Sequence, residues 1–154
     1  MQYRCKYFKI KELVNPAFLT TNEDILWRLF DDRLLKAADA IREKYGAITI
    51  NSGSWVDCGL RKMDSKNGAM LSSHKFGRAL DLHILSIEKE SAKITDPVAR
   101  EKFKSGEYNK VRENLMLDHK FDCLSFEQNS KEHPKGITWL HISVENRANR
   151  LFNA

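Results

Sequence analysis

Histidines and carboxylates recur in this chain at positions where strands would set them side by side. In residues 138–144 (TWLHISV), Leu140, Ile142 and Val144 form one apolar face, and Trp139, His141 and Ser143 point the other way. In 78–84 (RALDLHI), Leu80, Leu82 and Ile84 share a core face that Ala79, Asp81 and His83 oppose. In 121–127 (FDCLSFE), Leu124 and Phe126 oppose Cys123, Ser125 and Glu127. If these strands lie in one sheet, Asp81, Glu127 and His141 gather on the face away from the core. Two carboxylates and an imidazole on one face suit a metal centre or an acid–base site. His74 is a candidate fourth member. It precedes Asp81 by seven residues, which is about 10 Å along a helix and more along a strand. The two reach one ion only if the chain bends between them, and Gly77 permits such a bend. Taken alone, the spacing is better explained by coincidence.

The wider segment says more. Ser72-Ser73-His74-Lys75-Phe76-Gly77-Arg78-Ala79-Leu80-Asp81 resembles the S-x-H-x-x-G-x-A-x-D signature of the M15 peptidases. That family comprises D-alanyl-D-alanine carboxypeptidases and dipeptidases, and phage L-alanyl-D-glutamate endolysins. Trp139-Leu140-His141 resembles its second signature, W-x-H. FDCLSFE followed by WLHISV is similar to the matching region of the Hedgehog signalling domain, which shares the fold. YFKIKELV and ITINSGSW…GLR resemble phage-encoded members. The likeness covers most of residues 6–145 and is weakest over 86–118.

The resemblance implies that His74, Asp81 and His141 bind one Zn²⁺, with water in the open position and a carboxylate as general base. Many members carry that carboxylate three residues before the last histidine, where this chain has Thr138. Glu127, at the end of the preceding strand, is the expected base, and Glu132 is the fallback. The resemblance also assigns Arg61 to the scissile carbonyl or a substrate carboxylate, and Ser72 to the substrate's terminal carboxylate. Trp139 is expected to line the cleft. A solvated loop residue, a loop cap and a core aromatic are the plain alternatives for these three.

The elements that must position these groups are legible in outline. Residues 7–14 read as a short strand then a helix ending near Pro16. A short helix follows over 22–30 with Asn22 as N-cap. Leu34, Ala38, Ile41 and Tyr45 recur at helical spacing over 31–45, and Gly46 closes that helix. Residues 47–52 (AITINS) read as a strand, and 53–73, rich in Gly, Ser, Asn and Asp, as a long functional loop. Strands follow at 78–85, 121–127 and 138–144, with a helical region at 95–119 that Ser105-Gly106 could break. The order predicts an α+β fold, a mainly antiparallel sheet with helices packed on one face. The resemblance implies a Hedgehog/DD-peptidase-like version of it, as a single zinc peptidase domain over 1–154.

Composition narrows the partners. A net charge of +5 favours polyanions, but no basic run with interleaved aromatics marks a nucleic-acid groove, so nucleic acid is not an expected partner. Three cysteines at irregular spacing argue against a disulfide framework and suit synthesis in a reducing cytoplasm. No signal peptide or membrane-spanning run is read, so no membrane insertion is expected. A monomer acting on peptidoglycan stem peptides is expected, reaching the wall after release or as part of a phage particle. Two competing readings are a non-catalytic zinc-binding module of the same fold and a virion or assembly protein that carries the domain. His83 reads as an exposed strand histidine, and His119 and His133 as solvated. Cys58 and Cys123 lack a C-x-x-C partner, and the Lys/Glu-rich run at 88–113 reads as wet helix faces.

Overall fold

A computed structural model describes residues 2–128, 136–145 and 150–153. Helix α1 (Ile10–Leu13) is a single turn, closed at its start where the Lys9 amide donates to the Glu12 carboxylate at 2.7 Å. Among the described residues, no strand precedes it. Helix α2 (Glu23–Arg28) begins at Asn22, whose side chain accepts from the Asp24 amide, as the sequence suggested. Helix α3 (Asp32–Tyr45) starts on an Asp31 cap and stops at Gly46.

Strand β1 is only Ile48–Thr49, shorter than the expected 47–52. The cause is Asn51. Its amide donates to the α1 carbonyl of Glu12, its side-chain Nδ2 to the Val14 carbonyl, and its Oδ1 accepts from Cys58 and Gly59. These bonds draw the chain out of the sheet. A long loop follows, then a 3-10 turn (Ser73–Phe76) and strand β2 (Ala79–Ile84).

Helix α4 (Leu85–Ala92) starts directly on the end of β2. Helix α5 (Pro97–Met116) opens on an Asp96 cap and Pro97 and runs unbroken through Ser105 and Gly106. An interior glycine costs a helix only about 1 kcal/mol relative to alanine, and packing on both sides of Gly106 outweighs it. The Lys/Glu-rich run is not all wet, because Arg112 and Ser105 are buried. Strands β3 (Ser125–Gln128), β4 (Leu140–Ser143) and β5 (Leu151–Asn153) complete the described elements, and β5 is one the sequence did not suggest.

The sheet order is β1-β2-β4-β3-β5, antiparallel throughout except for the β3–β5 pair. The α+β class and the mainly antiparallel sheet therefore hold. Leu80, Leu82, Ile84, Phe126, Leu140, Ile142 and Val144 face Leu34, Leu35, Ala38 and Ile41 of α3 and Tyr108, Val111 and Leu115 of α5 in one core cluster. The opposite face of β2 is buried too, under the 52–77 loop. Among the described residues, no helix is long and apolar enough to cross a membrane.

Candidate metal centre

Register decides the first half of the site. β2 and β4 pair so that Asp81 lies directly across from His141, which puts both side chains on the face away from the helices. His74 arrives from the 3-10 turn. Gly77 ends that turn in a left-handed conformation (φ 63°), and its carbonyl accepts from the Asp31 amide at 3.1 Å. The bend folds His74 back over Asp81, as the seven-residue spacing required.

The three side chains meet closely. His74 Nε2 lies 3.3 Å from His141 Nδ1 and 3.4 Å from Asp81 Oδ2, and His141 Nδ1 lies 2.7 Å from Asp81 Oδ1. Two ligand atoms bound at about 2.0–2.1 Å with a tetrahedral angle sit about 3.3–3.4 Å apart. The His74–His141 and His74–Asp81 Oδ2 separations match that value, and the short His141 contact is a hydrogen bond to the other Asp81 oxygen. Among the described residues, one group of three such side chains converges on a common point, and it is this one. The donor set therefore fits a divalent cation that accepts nitrogen and oxygen ligands.

Tautomers follow from the partners. His74 Nδ1 lies 3.0 Å from the Gly59 carbonyl, which only accepts, so Nδ1 carries the proton and Nε2 faces the site bare. Burial lowers the His74 pKa against the pull of Asp81, which keeps the ring neutral. Burial would raise Asp81, but His74 and the His141 hydrogen bond outweigh it and hold the carboxyl well below the usual carboxylate range. Neutral imidazole and ionised carboxylate are the forms a metal needs.

Arg61 sits beside this group rather than in an open cleft. Its Nη2 donates to Asp81 Oδ2 at 2.9 Å, Nη1 to the Asn67 carbonyl at 3.3 Å, and Nε to the Asp57 carbonyl. Glu127 lies on the third position of β3 and is buried. Carried one residue further, the β3–β4 register sets it opposite His141, so Asp81, His141 and Glu127 form a row across three strands. Its backbone carbonyl accepts from Arg112 Nε at 3.1 Å. Glu127 is outside the converging group. The fallback Glu132, like His133, lies outside the described residues. Thr138 and Trp139 are half-buried just before β4, and Ser72 is half-buried at the head of the 3-10 turn without capping it through its side chain.

His83 departs from the expected exposed strand histidine. It is 6% exposed, stacked on Trp55 with ring centres 3.9 Å apart, and lies between Cys58 Sγ at 3.9 Å and Glu88 Oε1 at 3.6 Å. The loop that covers Asp81 covers it as well. Glu88 also holds Lys104 Nζ at 2.8 Å and Tyr108 Oη at 2.9 Å, so this part of the 88–113 run is an internal network. Burial pushes the Cys58 thiol up to about 12, which keeps it a neutral thiol. Cys123 is half-buried against the core, and His119 is solvated as expected. The Gly59 carbonyl that orients His74 had no sequence signal, since every residue carries one. A comparison with family models, with curated proteins and with solved structures finds no match for this chain.

Proposed function

We propose that this chain is a zinc-dependent peptidase that hydrolyses peptide bonds of bacterial peptidoglycan, with the Hedgehog/DD-peptidase-like fold and an endopeptidase specificity, encoded by a phage or prophage. The observation that carries the reading is the convergence of His74, Asp81 and His141, from a turn and two strands, to separations that suit one tetrahedral ion. The signature residues Ser72, His74, Gly77, Ala79, Asp81, Trp139 and His141 supply the substrate class.

Zinc held by these three side chains would lower the pKa of a water from about 15.7 to about 7 and polarise the scissile carbonyl. The protein's own groups do the rest. His74 and His141 present nitrogens and Asp81 a carboxylate, which would leave a bound divalent ion with net positive charge. Glu127, one strand beyond His141, accepts the nucleophile's proton and returns it to the leaving amine, a role that typically contributes about 10²–10⁴-fold. Of the five N–H donors on a guanidinium, Arg61 commits three to the protein among the described residues, which leaves two for a substrate carbonyl or carboxylate. Ser72 and Trp139 each open one of the two signature segments, and the resemblance assigns them to the substrate.

A second reading is metal binding without turnover, favoured by Thr138 at the position where many members carry the catalytic acid. One experiment separates them. Purified peptidoglycan is digested with zinc-loaded wild type, with protein treated with chelator, and with Glu127→Gln, and the muropeptides are read by mass spectrometry. New cleavage products from the wild type alone, with zinc still bound to Glu127→Gln, support the peptidase. Zinc bound by the wild type without any product refutes it and leaves the binding module.

A further inference from the structure

The segment 57–61 grips two of the three candidate ligands through four separate bonds. The Gly59 carbonyl accepts from His74 Nδ1 at 3.0 Å, and the Arg61 amide donates to the His74 carbonyl at 3.1 Å. The Asp81 amide donates to the Cys58 carbonyl at 2.7 Å, and Arg61 Nη2 reaches Asp81 Oδ2 at 2.9 Å. Arg61 therefore touches His74 with its backbone and Asp81 with its side chain.

The same guanidinium closes the loop around itself. Nε donates to the Asp57 carbonyl and Nη1 to the Asn67 carbonyl at the far end of the loop. The Asp57 carboxylate accepts from Asn15 Nδ2 at 2.7 Å, from Ser65 Oγ at 3.2 Å and from Asn67 Nδ2. Gly68 packs so tightly on Arg61 that a Cβ there would lie 2.9 Å from Nη1. A planar fork with fixed donor directions can satisfy Asp57, Asn67 and Asp81 together only when the 57–68 loop is closed.

We propose that Arg61 is a positioning residue that couples metal affinity to closure of the 57–68 loop, so that each stabilises the other. The proposal rests on the metal-binding reading above. The closed loop holds the Asp81 carboxylate through Oδ2 and the His74 ring through Nδ1. An ion that holds Asp81 and His74 in place presents the loop with its two anchors already set. Linkage makes the effect mutual: whatever factor closure adds to metal affinity, the metal adds to closure. Partners of metal ligands are typically worth about 10–100-fold in affinity.

The test uses the full chain, zinc itself, a competing chromophoric chelator to read affinity, and limited trypsin digestion to read the loop. Lys62 and Lys66 are exposed on that loop and report its opening. In the wild type, zinc is expected to slow cleavage after Lys62 and Lys66. Arg61→Met is expected to bind zinc about 10–100-fold more weakly and to lose the protection. Arg61→Lys, which keeps the charge but not the fork, should lose both the affinity and the protection as Arg61→Met does. Gly68→Ala, which touches no ligand and keeps the arginine, should weaken zinc in the same direction and stands in if Arg61→Met does not fold. Zinc binding by the wild type with unchanged cleavage, or by Gly68→Ala and Arg61→Met as tightly as by wild type, overturns the coupling and spares the metal site. Failure of the wild type to bind zinc overturns both.

Discussion

Replacing Gly77 by alanine tests whether the bend between His74 and Asp81 makes the site. Two costs add. A residue with a side chain at φ 63° loses about 1–2 kcal/mol to the left-handed conformation. A Cβ there would also lie 1.9 Å from the Leu29 carbonyl oxygen and 2.7 Å from its carbon, so the turn or the end of α2 must move. Overpacking of this kind costs about 1–3 kcal/mol, which brings the total to about 2–5 kcal/mol. Gly46 supplies the control, because its φ is 84° but nothing lies within 4 Å of its would-be Cβ. Gly46→Ala carries no packing cost, but at φ 84° and ψ −152° it has a backbone cost of its own, about 1–3 kcal/mol. In a chain of this size each 1 kcal/mol moves Tm by about 2–4 °C, so Gly46→Ala should lose about 2–12 °C and Gly77→Ala about 4–20 °C, measured by thermal unfolding in chelator. The second readout is zinc affinity by chelator competition. Gly77→Ala displaces His74 from a partner now 3.4 Å away and should bind zinc at least about tenfold more weakly, whereas Gly46→Ala should bind as wild type. Unchanged zinc affinity in Gly77→Ala, or a loss of zinc affinity in Gly46→Ala as large as in Gly77→Ala, would refute the argument.

Two further perturbations probe the scaffold apart from the site. The buried Asp39 carboxylate accepts from Tyr3 Oη at 2.8 Å and from the Lys6 and Tyr7 amides at 2.7 and 3.2 Å, so it pins the N-terminal segment to α3. Asp39→Ala should cost about 2–4 kcal/mol in urea unfolding and speed amide exchange at Lys6 and Tyr7 while zinc affinity holds. Glu88 titrates at about 2 instead of the usual 4.5; burial opposes this, and His83, Lys104 and Tyr108 outweigh it. A carboxyl whose folded pKa is depressed stabilises the fold above its unfolded value and loses that contribution as pH falls through the folded one. Glu88→Gln should therefore be roughly 2–3 kcal/mol less stable than wild type at pH 7, with the gap closing between about pH 4.5 and 2. A gap that persists at pH 2 would assign the loss to packing instead of charge.

How much of this was legible in the sequence depends on the range of the interactions involved. The period of two in 78–84 and 138–144 is covalent geometry, and it correctly set Leu80, Leu82, Leu140 and Ile142 inward and Asp81 and His141 together. The caps at Asn22 and Gly46 are local, and both ends fell where those residues stand. The failures are non-local. His83 looked exposed because alternation says which face a side chain takes, not what later covers that face; Trp55 covers it. Strand β1 looked longer because β-branched residues favour extension, while the Asn51 side chain, satisfied by Val14, Cys58 and Gly59, ends the ladder. Glu88 and Arg112 looked solvated because a charged residue declares its partners only once the helices are packed.

The same division of range runs through the candidate metal centre. Asp81 and His141 are fixed by a strand pairing that four consecutive residue pairs support, from Ala79–Ser143 to Leu82–Leu140. A one-residue slip there would turn Leu80, Leu82, Leu140 and Ile142 out of the core, so the register is held by the whole hydrophobic face. His74 has no such guarantee. It sits on a four-residue turn, held by one left-handed glycine and by two bonds to the 57–61 segment. Variation in metal affinity should therefore follow the position of His74 far more than the Asp81–His141 pair. The two-strand pair is the rigid half of the site, and the turn with its loop is the half through which binding can be tuned.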